Sequence, residues 1–149
     1  MTELQTTDRS GFRRGRRRAS ANGETLAAID LGTNNCRLLV ARPQGSGFRV
    51  IDAYSRIVRL GEGLTRSGVL SEAAMERTIA ALHVCARKMR QRRVTHARSV
   101  ATEACRRAAN CEEFLVRVRE ETGIEIEIIS SEVEAELAFR GCAPLLMPD

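Results

Sequence analysis

The sequence predicts an α/β domain, a five-stranded mixed sheet with helices packed on it, its elements in the order βββαβαβα. Three observations predict it. Short apolar runs follow one another through turn residues between Leu26 and Tyr54, and beyond Leu70 runs of strand length alternate with stretches of helical period. Aromatic residues make up only 3% and Trp is absent, so the layers must be filled by Leu, Ile, Val, Ala and Met. At 149 residues the chain has room for one such domain.

LAAID (26–30) is a run of strand length ending in a carboxylate and a glycine turn, and CRLLVAR (36–42) is the second. Pro43-Gln44-Gly45-Ser46-Gly47 is a turn signal before the third, FRVIDAY (48–54), which completes a three-stranded meander. SRIVRLGEGLTRSGVL (55–70) links to Ser71, which is placed to cap a helix. In that helix Met75, Ile79, Leu82, Ala86 and Met89 share one face, while Arg77, Arg87, Lys88 and Arg92 share the opposite one. ARSVAT (97–102) reads as the fourth strand, and a second helical stretch begins near Glu103. Asn110 and Glu113 have capping-box spacing for CEEFLVRVREET, whose apolar face is Phe114, Leu115 and Val118 and which stops at Gly123. IEIEIIS (124–130) alternates as the fifth strand, and Ser131 with Glu134 has the spacing to cap a last helix, EVEAELAFRG.

The net charge of +5 is unevenly placed. Residues 1–23 hold six arginines (Arg9, Arg13, Arg14, Arg16, Arg17, Arg18) against Glu3 and Asp8, contributing +4, so residues 24–149 are close to neutral. This divides the chain into a disordered basic tail, 1–23, and a folded domain, 24–149. A basic arm of this kind can hold RNA, DNA, an acidic lipid surface or a phosphate polymer by counterion release, and nothing in it selects among them; a solvated tail without a ligand is the plainer reading. No apolar run approaches the length that crosses a bilayer and no secretory signal precedes the domain, so the expectation is a cytoplasmic protein without a membrane partner. Five cysteines, with no CxxC spacing, point to free thiols rather than to disulfides or zinc.

Three stretches carry residues suited to phosphate chemistry, each beside a plainer reading. Asp30-Leu31-Gly32-Thr33-Asn34-Asn35, at the first turn, offers a carboxylate for Mg²⁺ and a Gly-containing run of N–H groups for an anion, or is only a tight hairpin. In ATEACRRAAN (101–110), Thr102 stands where hydroxyl and N–H donors meet an anion and Arg106 follows one turn on, or Thr102 is only a cap and the arginines a solvated face. Glu134, where the fifth strand turns into the last helix, is placed to orient water, or spends its carboxylate on a capping box with Ser131.

Together, in this order and spacing, these stretches resemble the exopolyphosphatase/guanosine pentaphosphate phosphatase family, part of the actin-like ATPase superfamily. IDLGTNNCRLLVA is similar to its first phosphate hairpin, VRLGEGL and LSEAAM are further matches, and ATEACRRAAN and EIISSEVEAELAFRG complete the likeness from Leu26 to Gly141. The resemblance implies an actin-like, ribonuclease H-like half-domain. It implies Glu134 as the catalytic carboxylate, Asp30 at Mg²⁺, and Gly32, Thr33, Asn34, Asn35, Thr102 and Arg106 at phosphate, with inorganic polyphosphate or guanosine pentaphosphate as substrate. Ser131 and Val133 stand where the family commonly has Gly and Glu. It also implies that a second glycine-rich loop and a second domain complete the site, so that the chain holds one wall of it. Two other readings are an ATP-dependent kinase of the same superfamily and a non-catalytic polyphosphate- or nucleotide-binding fragment, with a homodimer as a further way to pair the half-site.

Overall fold

A computed structural model describes residues 23–146, with side chains to residue 143. The expected Arg-rich tail therefore lies outside the described residues but for Gly23. The strands are β1 (Leu26–Leu31), β2 (Asn35–Gln44), β3 (Gly47–Ile57), β4 (His96–Ala101) and β5 (Glu127–Ile128). The helices are α1 (Leu64–Ser67), α2 (Glu72–Gln91), α3 (Glu103–Arg107), α4 (Cys111–Thr122) and α5 (Ser131–Leu146).

The five strands form one sheet in the order β3-β2-β1-β4-β5. β1, β2 and β3 pair antiparallel through tight turns, whereas β4 lies parallel to β1 and β5 parallel to β4. This is the expected mixed sheet. Its parallel half needs crossovers, and α2 and α4 provide them. Alternation decides the faces: Ala27, Ile29 and Leu31 of β1 lie beside Val40, Leu38 and Cys36 of β2, all buried. They join Met75, Ile79, Leu82 and Cys85 of α2 and Phe114 and Val118 of α4 in a single core. The other residues of β1, Leu26, Ala28 and Asp30, are on the opposite, open face.

The anticipated apolar stripe of α2 is the buried one, and Ser71 caps the helix by accepting a hydrogen bond from the Ala74 N–H at 3.1 Å. Its basic face is less solvated than its charge suggests. Lys88 and Arg92 both reach Asp52 of β3 at 3.0 Å, and Arg77 donates to the Val58 carbonyl at 3.0 Å. The Arg92 and Lys88 contacts hold the Asp52 carboxyl below its ordinary range. Residues 58–70 are more than a linker: Val58, Leu60, Leu64 and Leu70 are buried, and α1 forms within them.

Two capping boxes expected from spacing are not formed. Asn110 precedes α4 without a side-chain cap; its amide instead receives the Leu70 N–H at 2.8 Å and donates to the Leu70 carbonyl at 3.0 Å. A distant backbone segment presents both a donor and an acceptor, which one amide satisfies together. Before α5 the capping oxygen belongs to Ser130, which accepts from the Val133 N–H at 3.2 Å, so Ser131 is already helical. The fifth strand is shorter than its alternation suggests, because β4 offers partners only to Glu127 and Ile128.

Candidate active site

β1 ends on the open face at Asp30, whose neighbours across the sheet are Arg37 of β2 and Val100 of β4. One residue past β4, the Thr102 N–H donates to the Leu31 carbonyl at 3.2 Å, which fixes Thr102 beside the end of β1. Thr102 is buried, and its side chain does not cap α3, so the cap reading of this threonine is not the one the fold uses. α5 passes over the open face. Between it and the sheet lies a cavity of about 810 Å³, lined by Asp30, Arg37, Arg98, Thr102, Glu134 and Leu137 among others. Asp30, Thr102 and Glu134, read from three separate stretches of sequence, thus share one cavity.

Asp30 reaches solvent, yet the cavity walls take enough water from it that burial pushes its carboxyl above the ordinary 3.8. Arg37 opposes that shift, and the Glu134 charge adds to it. Carboxylates close enough to repel are where a cation or a cationic side chain lowers the energy most.

Glu134 is released from capping by Ser130, and its Oε2 instead accepts a hydrogen bond from Arg106 at 3.1 Å. The same guanidinium donates to Glu103 at 3.1 Å and to the Ile129 carbonyl at 2.6 Å. Arg106 is therefore no solvated surface residue. It ties the end of β5 to α3 and orients the Glu134 carboxylate at the cavity.

The turn residues behave differently. Gly32 donates to the Asn35 carbonyl at 2.9 Å, closing the hairpin. The Asn34 carbonyl accepts from Val58 and Arg59, and the Thr33 carbonyl from Gly61, at 2.8–3.1 Å. The turn's carbonyls are thus consumed by the following loop, whereas among the described residues no backbone acceptor takes the Thr33 or Asn34 N–H. Two neighbouring free N–H groups are the elements of an anion nest. A Cβ on Gly32 would meet nothing nearer than 3.7 Å, so the fold itself does not require glycine there. Thr33, Asn34 and Asn35 line a second depression, with Ile57, Arg59 and Gly61, rather than the cavity that holds Asp30.

Arg37 and Arg98 are charged cavity residues that sequence reading passed over, and Arg37 is the one beside Asp30. It sits inside an apolar strand run, and only the hairpin register, Asp30 opposite Arg37, puts its charge beside the carboxylate. Alternation within CRLLVAR already separates Arg37 from buried Cys36 and Leu38, a signal that was available.

This half-domain recurs among solved phosphatases. The structure of an Aquifex aeolicus family member matches it with a TM-score of 0.80 and 35% identity over 85% of this chain and 42% of that one. An exopolyphosphatase from Cytophaga hutchinsonii matches with a TM-score of 0.76 and 30% identity, over 79% of this chain and 38% of that one. The matched part thus spans less than half the length of each of these structures. It belongs to the Ppx/GppA phosphatase family, whose model matches residues 39–149. That span begins within β2, past β1 with Asp30 and the turn with Gly32. Among the described residues no helix is long and apolar enough to cross a membrane.

Proposed function

We propose that this domain supplies one wall of the active site of a phosphatase that removes the terminal phosphoryl group of inorganic polyphosphate or guanosine pentaphosphate. The observation that carries the reading is that Glu134 is held by Arg106 at a cavity it shares with Asp30 and Thr102. A carboxylate fixed in direction but still open to solvent is suited to orient an attacking water and accept its proton. The N–H groups of Thr33 and Asn34, the backbone of Gly32 and Asn35, and the Thr102 hydroxyl would grip phosphate oxygens. Arg106 would join them by sharing its guanidinium between Glu134 and the transferred group.

Asp30 suits Mg²⁺ by the chemistry of its donor: a hard oxygen at a strand end, with a second carboxylate near enough to raise its pKa. An ion held there by one carboxylate would take its remaining ligands from water and the substrate's own phosphates. Such an ion would neutralise the charge that develops on the leaving oxygens. Family membership favours water over an acceptor hydroxyl, and so hydrolysis over kinase chemistry. The chain alone, whose matched part covers 42% of its Aquifex aeolicus relative, is expected to bind phosphate chains without appreciable turnover.

Phosphate release from polyphosphate and from guanosine pentaphosphate, measured with Mg²⁺ on the full-length gene product, tests this. Glu134→Gln is expected to lower kcat by roughly 10²–10⁴ with little change in substrate binding. Turnover within a factor of about three of the parent would show Glu134 to be an ordinary helix residue and would end the mechanistic reading.

A further inference from the structure

We propose that Arg59 is a further phosphate-chain binding residue, forming with the Thr33–Asn35 turn a second anion subsite in the depression beside the cavity. This deepens the reading above and rests on it. The ligand class is a phosphoanhydride chain, whose oxygens beyond those held at the cavity would lie here.

Arg59 has a φ of 50°, in the left-handed region that favours glycine. A non-glycine residue stays there only when its surroundings over-determine it. They do so here. Its N–H donates to the Asn34 carbonyl at 3.1 Å, and its own carbonyl accepts from the Glu62 N–H at 3.1 Å and from Arg77 at 3.3 Å. Val58 and Gly61 add bonds of 2.8 and 3.0 Å from the same loop to the same turn. The loop also presses close: a Cβ at Gly61 would fall 2.4 Å from the Thr33 methyl.

All of this fixes the backbone of Arg59 and leaves its side chain uncommitted. Among the described residues no carboxylate or carbonyl takes its guanidinium, although it is exposed and lines a depression of about 530 Å³ with Thr33, Asn34 and Asn35. The Thr33 and Asn34 N–H groups without backbone acceptors belong to the same turn. The acid of the depression, Glu62, is already paired with Arg77 at 2.7 Å, so its charge opposes an anion less than a free carboxylate would. A guanidinium beside a pair of open N–H donors offers two oxyanions of a phosphate chain complementary partners.

Glycine separates the side chain from the backbone at this position. Arg59→Gly keeps or relaxes the left-handed conformation, so the melting temperature should hold or rise. Binding of inorganic tripolyphosphate to the 149-residue chain, measured by titration calorimetry, should weaken by about tenfold or more, the loss of one charged hydrogen-bonding group. Arg59→Lys should recover part of the loss, and Arg66→Ala, removing a charge from α1, should leave affinity unchanged. Amide NMR shifts of Thr33 and Asn34 on titration show whether the turn holds the ligand. If those amides respond and Arg59→Gly binds as the parent does, or Arg66→Ala weakens binding equally, the Arg59 subsite is wrong while the hairpin reading stands. If the parent neither binds nor shifts those amides, the hairpin reading fails and the subsite with it.

Discussion

Asn110 offers a test in which two structural roles predict opposite signs. As an N-cap of α4 it would tolerate Asp, which caps helices equally well and complements the helix dipole, so Asn110→Asp would be neutral or slightly stabilising. In the fold its side chain is a two-way clamp on Leu70, accepting from the N–H at 2.8 Å and donating to the carbonyl at 3.0 Å. Asp retains the first bond and loses the second, and it sets a carboxylate against the Leu70 carbonyl. Leu70 is only 2% exposed, so water does not readily replace the lost donor. An unsatisfied buried carbonyl costs about 1–3 kcal/mol, and Asn110→Asp is expected to destabilise by about 2 kcal/mol. Asn110→Ala, which abandons both groups but adds no repulsion, should cost about 2–3 kcal/mol. With a urea m-value of about 1–3 kcal/mol/M for a domain of this size, either change lowers the midpoint by roughly 1 M. Circular dichroism in a urea series on the 149-residue chain reads this directly. An Asn110→Asp midpoint equal to or above the parent's would refute the clamp.

Two further outcomes are expected. Gly61→Ala should loosen the loop from the hairpin, because the new Cβ meets the Thr33 methyl at 2.4 Å, and Thr33→Ser in the same chain should restore the parent melting temperature by removing that methyl; equal melting of parent and Gly61→Ala would count against the packing. Asp30→Asn should raise thermal stability at neutral pH. The raised carboxyl pKa means that the folded state holds its proton more tightly than the unfolded chain, so ionisation costs stability as pH climbs above 3.8 through the folded value, and the amide avoids that loss. The gain should vanish in acid, where the native carboxyl is protonated; a gain independent of pH would assign it to another cause.

Much of the fold was legible because it rests on local period. The three strands of the meander, the apolar stripe of α2 and the left-handed Gly123 that ends α4 all follow from alternation, 3.6-residue spacing or a positive φ, here 74° at Gly123. The stretches holding Asp30, Thr102 and Glu134 were also legible as strand ends, since a parallel crossover sheet gathers such ends along one edge. Side-chain partners were not legible. Spacing assigned Asn110 and Glu134 to capping boxes, but a polar side chain takes the best-placed donor or acceptor within reach, and tertiary structure brought Leu70 to the first and Arg106 to the second.

Composition and period by themselves determined an aliphatic α/β domain of βββαβαβα order, because those signals depend only on neighbours along the chain. Tertiary structure alone decided that Arg37 stands across from Asp30, that the turn and the cavity are separate depressions, and that Arg106 holds Glu134. Each depends on strand register or helix crossing; the Arg106–Glu134 contact joins groups 28 residues apart, and the cavity sets β1 against α5, separations over which no sequence period carries phase.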